Sequence, residues 1–268
     1  VETLSNEGEF TVFAPTDEAF AALLEEMEIG AEDLLAAENL ADILLYHVVE
    51  GEFDAASVIE LVGESDYVLV DTLNGTPLEI SVEMGSVYIN DAMVALPDVA
   101  ASNGIIHVVD SVIMPPADTI TDIVVNAATA EEDAEFSILL AAVLEAELAD
   151  ALASEGPFTV FAPTDAAFAA ALEALDLTAE ELLASEDLAS ILLYHVAGGE
   201  EALYSNDVAA ALADADAMGV MVDTLLEGSA FTVTATEDGI FVDGAQIIMT
   251  DIMASNGVIH VIDAVILP

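Results

Sequence analysis

The sequence predicts two tandem domains, each mixing helices and strands. Three observations carry that reading. The chain has 268 residues, a length that suits about two domains. Hydrophobic residues make up 56% and charged residues 20%, which supplies sizeable cores and argues against a disordered chain. Three blocks recur in the same order. Phe10-Thr-Val-Phe-Ala-Pro-Thr-Asp17 returns as Phe158-Thr-Val-Phe-Ala-Pro-Thr-Asp165, and Ile43-Leu-Leu-Tyr-His-Val48 returns as Ile191-Leu-Leu-Tyr-His-Val196, each 148 positions on. Ala101-Ser-Asn-Gly-Ile-Ile-His-Val-Val-Asp110 returns 153 positions on as Ala254-Ser-Asn-Gly-Val-Ile-His-Val-Ile-Asp263. A period of about 150 residues is domain-sized, whereas solenoid repeats run to about 20–50.

The elements follow in chain order. Thr11-Val-Phe-Ala is a β-branched and aromatic run stopped by Pro15, hence a strand. Thr16 or Asp17 caps a helix running to Leu24 or Glu26. Leu34, Leu35, Leu40, Ile43 and Leu44 stand at helical spacing, so 31–48 holds two helical pieces. Tyr67 to Leu73 and Leu78 to Val82 flank Asn74-Gly75, a hairpin signal. Val87 to Asn90 and Ile105 to Val112 are further strands. Pro115-Pro116-Ala-Asp-Thr forms a semi-rigid linker, so the domains are 1–115 and 116–268. In the second copy the strands are Phe231 to Ala235, Ile240 to Val242 and Val258 to Ile266.

The copies differ at their start. Residues 116–148 read as two helices, one opened by Thr119 or Thr121. The other carries an apolar stripe of Phe136, Leu139, Leu140, Val143, Leu144, Leu148 and Leu152. Domain 1–115 lacks most of this helical segment, so an apolar face near Val1, Leu4 and Phe20 is expected to need cover. Head-to-tail docking on a neighbouring copy would supply it and can propagate into a filament; a chain continuing upstream of Val1 is the other expectation.

Charge excludes whole classes of function. There are 53 Asp plus Glu and no Lys or Arg, a net charge of −53. Nucleic acids and anionic membranes find no cationic footprint. Arginine clamps and Schiff-base lysines are impossible. With no cysteine, disulfides and thiol chemistry are excluded as well. The longest uncharged runs, such as Leu188 to Gly199, fall short of the about 20 residues that span a membrane. Gly-x-Ser-x-Gly, His-Glu-x-x-His, Walker and dinucleotide motifs are all missing, and no small-molecule substrate is expected.

The three blocks together resemble fasciclin-like (FAS1) domains, twice over and across nearly the whole chain. The resemblance implies an α+β fold: a wedge of two small β-sheets with helices packed over one side. It further implies a non-enzymatic, secreted or cell-surface adhesion protein whose partners are other surface proteins and copies of itself. The Tyr-His block, described in the family as core-stabilising and as part of an adhesion surface, falls here on Tyr46-His47 and Tyr194-His195. The short Asp-Ile stretch linked to integrin recognition in animal members falls on Asp98-Val99 and Asp251-Ile252, which also fit a strand-edge turn.

The residues themselves favour quieter roles. His47, His107, His195 and His260 all lie in the repeated blocks, in apolar surroundings where a ring nitrogen can bond a backbone group. His pairs without thiols make poor zinc sites. Acidic clusters such as Glu25-Glu26 and Glu131-Glu132-Asp133 lack the Asp-x-Asp-x-Asp-Gly pattern of a calcium loop. No dedicated cofactor is expected, only loosely condensed divalent cations such as calcium. A carrier of a small molecule or lipid, with a pocket between sheets and helices, is the alternative to adhesion.

Overall fold

The computed structural model describes residues 8–63, 65–130, 134–199, 201–214, 219–236 and 238–268. The chain divides into two compact units, Val1–Pro115 and Pro116–Pro268. Each is α+β and built on one seven-stranded sheet.

In the first unit, β1 (Phe10–Pro15) lies between β2 (Val48–Glu50), antiparallel to it, and β7 (Gly104–Val109), parallel to it. The sheet continues through β6 (Ala92–Ala101), β5 (Ser86–Ile89) and β4 (Pro77–Glu83) to β3 (Tyr67–Asp71). This register brings all three repeated blocks to one place. Phe13 stands opposite His107, and α3 (Leu40–Tyr46) leads through His47 straight into β2. The approach of β7 to β1 requires Gly104. Its φ is +150°, and a Cβ there would sit 1.9 Å from the Phe10 carbonyl oxygen, which only glycine avoids.

The helices begin where side chains satisfy their free N–H groups. Thr16 Oγ1 accepts from the Ala19 N–H and opens α1 (Asp17–Glu26). A second short helix, α2 (Ala31–Leu35), precedes α3. The helix α4 (Ala55–Val62) carries β-branched Val58 and Ile59, which favour strands, and no expectation attaches to it from sequence. Asp54 decides it by accepting from the Ser57 N–H at 2.7 Å. β6 likewise has no simple strand signal. Pro97 and Asp98 break its alternation, and the ladder to β7 shifts register at Leu96 and again before Val99, as a bulged strand does. This long strand joins the two halves of the wedge: its start pairs with β5, its remainder with β7.

The second unit repeats this plan with β8 (Phe158–Pro163), β9 (Val196–Gly198), β10 (Val220–Asp223), β11 (Ala230–Thr236), β12 (Gly239–Val242), β13 (Ala245–Ala254) and β14 (Gly257–Ile262). Phe161 again faces the block histidine, His260. Its helices are α5 (Ile120–Ala128), α6 (Ser137–Glu145), α7 (Ala149–Leu152), α8 (Asp165–Leu175), α9 (Ala179–Leu183), α10 (Leu188–Tyr194) and α11 (Ser205–Asp214). The two helices expected in 116–148 are α5 and α6, and the stripe expected to run on to Leu152 continues in a separate helix, α7. The apolar stripe breaks between α6 and α7, where Glu147 takes φ +55°, and Leu144 turns outward to 58% exposure.

This extra layer gives the second unit two cores. One gathers Phe161, Tyr194, Phe231 and Ile262. The other packs Ile120, Val124, Leu139 and Val143 of the extra helices onto Val160, Leu192 and Ile259. Among the described residues the first unit shows the counterpart of the former alone, around Phe13, Tyr46, Leu78 and Ile80.

Candidate functional site

The four histidines form two kinds of clamp. His47 ends α3. Its Nδ1–H donates to the Ile43 carbonyl at 2.7 Å, and its Nε2 accepts from the Ile113 N–H at 3.0 Å. His195 does the same with Ile191 O at 2.8 Å and the Ile266 N–H at 3.1 Å. The tautomer follows from the partners, since a carbonyl only accepts and a backbone N–H only donates. His107 and His260 require the opposite tautomer. Their Nδ1 accepts from the Asp98 and Asp251 N–H groups at 3.3 and 3.2 Å, while Nε2–H donates to Phe53 O at 2.7 Å and Leu203 O at 2.8 Å. Every ring nitrogen is engaged with a backbone group, which leaves no lone pair for a metal or a substrate proton. Burial pushes His47 and His260 below the ordinary imidazole value and brings His195 down to about 4. Among the described residues no group of three or more His, Asp or Glu is placed to hold a metal ion. Glu131, Glu132 and Asp133 lie outside the described residues.

The tyrosines preceding His47 and His195 tie helix to sheet. Tyr46 Oη donates to Pro77 O at 3.0 Å and accepts from Asn90 Nδ2 at 3.1 Å. Tyr194 Oη donates to Asp243 Oδ2 at 2.6 Å. Burial first, and then the bond to Asp243 and its charge, push this phenol up to about 12. Tyr46, His47, Tyr194 and His195 are all buried, with His47 at the floor of an apolar groove beside β1 and β2.

Asp98 and Asp251 sit in the bulges of β6 and β13 with φ of +62° and +60°. Each carboxylate accepts from the first N–H of a helix, Ala55 at 2.9 Å and Ser205 at 2.8 Å. The Asp is thereby a corner brace as well as a surface residue. Val99 is exposed, whereas Ile252 packs partly against the second unit's core, so the two copies of this stretch present different surfaces.

The largest difference between the units is an apolar surface beside β1 and β2. Val12, Leu44, Leu45, Val48 and Leu73 line an open groove of about 510 Å³, and Phe20 reaches it from α1. Val1 and Leu4 lie outside the described residues. The same surface in the second unit, formed by Val160, Leu192, Leu193, Val196 and Leu225, is roofed by α5–α7 with about 210 Å³ of apolar space left beneath. Identical side chains therefore meet different fates: Leu44 is 52% exposed and Leu192 is 4% exposed. Sequence reasoning missed the residue that fastens this roof. Asn256 Oδ1 accepts from the Ile120 N–H at 2.9 Å, while its Nδ2 donates to Leu152 O at 2.7 Å and Ser154 O at 2.9 Å. The signal was the Asn of the third block, standing where a turn alone would explain it.

The tandem sheet wedges and their internal histidine clamps define a class of protein, and comparison agrees. The Fasciclin domain family matches residues 1–115 and 134–268, and the chain belongs to that family. Fasciclin domains are cell-adhesion and extracellular-matrix modules, generally non-enzymatic. Protein sll1483 of Synechocystis sp. is 50% identical over 119 residues, 43% of this chain and 61% of its own length. Transforming growth factor-beta-induced protein ig-h3 of Sus scrofa is 30% identical over 272 residues, 99% of this chain and 34% of its own. Human periostin is 28% identical across 100% of this chain and 29% of its own. This chain thus spans less than two thirds of each of these relatives. Among solved structures, the FAS1 domain pair of the insect cell adhesion molecule Fasciclin I matches 100% of this chain and 91% of that one, at 21% identity and a TM-score of 0.49.

Proposed function

We propose that this chain is an extracellular or cell-surface adhesion module working through protein–protein contacts, with copies of itself among its partners. The apolar groove that the described residues of the first unit leave open supports the reading. Contiguous apolar surface of this kind marks a contact site on a soluble protein, and Leu44 alone leaves half its side chain in water. Docking of this groove on a different surface of the next copy is a head-to-tail contact, which extends into a filament unless it closes. The acidic surface opposes association at low salt, so counter-ions, divalent ions among them, act as the switch. No helix among the described residues is long and apolar enough to cross a membrane.

Light scattering after size exclusion tests this at 0.02 and 1 M NaCl, with Leu44→Glu beside the unaltered chain. The expected result is salt-promoted association that Leu44→Glu abolishes. A chain that stays monomeric at high concentration in 1 M salt overturns self-association.

A further inference from the structure

The roofed space in the second unit is a second kind of site, independent of the groove. It lies between Val124, Leu139 and Val143 above and Leu192 and Val196 below, with a volume of about 210 Å³. Packed protein interiors hold few voids larger than a water molecule. A neighbouring gap beside Phe168 and Leu182 measures only about 30 Å³, an ordinary packing defect. The larger space exceeds the roughly 150 Å³ at which an apolar cavity stays dry and takes up benzene or xenon.

The chemistry of the lining selects the occupant. Its polar side chains already use their protons within the protein, leaving only hydroxyl lone pairs on Thr121 and Ser154. Thr121 Oγ1 donates to Ala149 O at 3.1 Å, and Ser154 Oγ donates to Ala151 O at 2.6 Å. Both nitrogens of His195 are engaged with backbone groups. A water molecule here would find hydroxyl lone pairs to donate to but no free donor, short of the two to four partners that hold a buried water, and a polar ligand would lose most of its own hydration unpaired. A carboxylate fares worst, because the chain has no Lys or Arg to meet it and carries a net charge of −53. Entry is open at the rim, where Ala151 is exposed and Leu225 is 39% exposed. The volume suits one aromatic ring with a short alkyl branch, below the range of drug-sized pockets.

We propose that the space under the α5–α7 roof is a binding site for a small, uncharged, apolar molecule of about one aromatic ring. The roof makes the site: the same floor in the first unit is an open groove.

The test uses the full chain with benzene as probe and benzoate as its charged twin, read by methyl NMR and thermal unfolding. Benzene should saturably shift the methyl signals of Leu139, Val143 and Leu192. At ten times its dissociation constant it should raise the second unit's melting temperature by roughly 3–6 °C. Benzoate should do neither. Val143→Phe fills the space from within, and Ala151→Phe blocks it from the exposed rim, where folding is little disturbed. Either variant that folds should lose the benzene response. The proposal is overturned if those methyls do not respond up to benzene saturation, if benzoate binds as well as benzene, or if the response survives in a folded blocking variant.

Discussion

Acidification should weaken the second unit through His195 before it touches most carboxylates. The ring is neutral in the folded state with a pKa of about 4, against an ordinary 6.5, because burial disfavours its charged form. Protonation would also turn Nε2 into a donor facing the Ile266 N–H, another donor 3.1 Å away. The unfolded chain therefore binds the proton first. The contribution of His195 is intact above pH 6.5, declines as pH falls toward 4, and is fully lost below that. At pH 5 the loss is about 2 kcal/mol, from roughly 1.4 kcal/mol per pH unit below 6.5. Relief of acidic self-repulsion works in the opposite direction, but carboxylates titrate mainly near 4, and 1 M salt shortens the screening length to about 3 Å. The assay is urea unfolding in 1 M NaCl at pH 7 and pH 5, followed by the amide signals of Val258 to Ile262. His195→Gln keeps one donor and one acceptor but cannot titrate. The unaltered chain should lose about 2 kcal/mol more than this variant between the two pH values. Equal losses in both proteins would refute the reasoning. His260, lowered by burial in the same unit, acts in both and leaves the difference intact.

Three further outcomes follow from particular contacts. Asn256→Ala strands the Ile120 N–H and the Leu152 carbonyl beneath the roof, so urea unfolding should show the second unit weaker by about 2–4 kcal/mol; an unchanged midpoint would mean the roof is held otherwise. Gly257→Ala places a Cβ 2.0 Å from the Phe158 carbonyl oxygen at φ +149°, and should cost about 3 kcal/mol or more, checked by calorimetry against Gly199→Ala, where a Cβ comes no closer than 3.5 Å to a neighbouring atom. The whole chain should melt higher in 1 M than in 0.01 M NaCl, with calcium or magnesium acting at lower concentration, because 53 acidic groups repel without counter-charges; a melting curve indifferent to salt would contradict this.

Much of the domain could be read from the residues because the signals are local. Pro15 stops β1, Thr16 and Thr119 cap their helices, and Asn74-Gly75 turns the hairpin between β3 and β4. Each acts within a few residues of itself, so propensity and turn chemistry suffice. The repeated blocks announced two domains and their family. Among the elements the sequence did not announce, α4 and the bulged strands β6 and β13 depend on a cap or a register shift that overrides the local pattern. The short strand β2 begins at Val48, inside the span expected to be helical.

Tertiary structure alone decided the rest. The partners of each histidine lie as far as 71 residues away, as Ile266 does from His195, and those partners set the opposite tautomers within each unit. Periodicity marks an apolar side chain for burial without naming what will cover it. Leu44 and Leu192 occupy the same place in the same repeated block, yet one is 52% exposed and the other 4%. The difference is made by α5–α7 and by the Asn256 side chain that holds them down. The space left beneath that roof is a remainder of packing between distant segments, and no stretch of sequence encodes a remainder by itself.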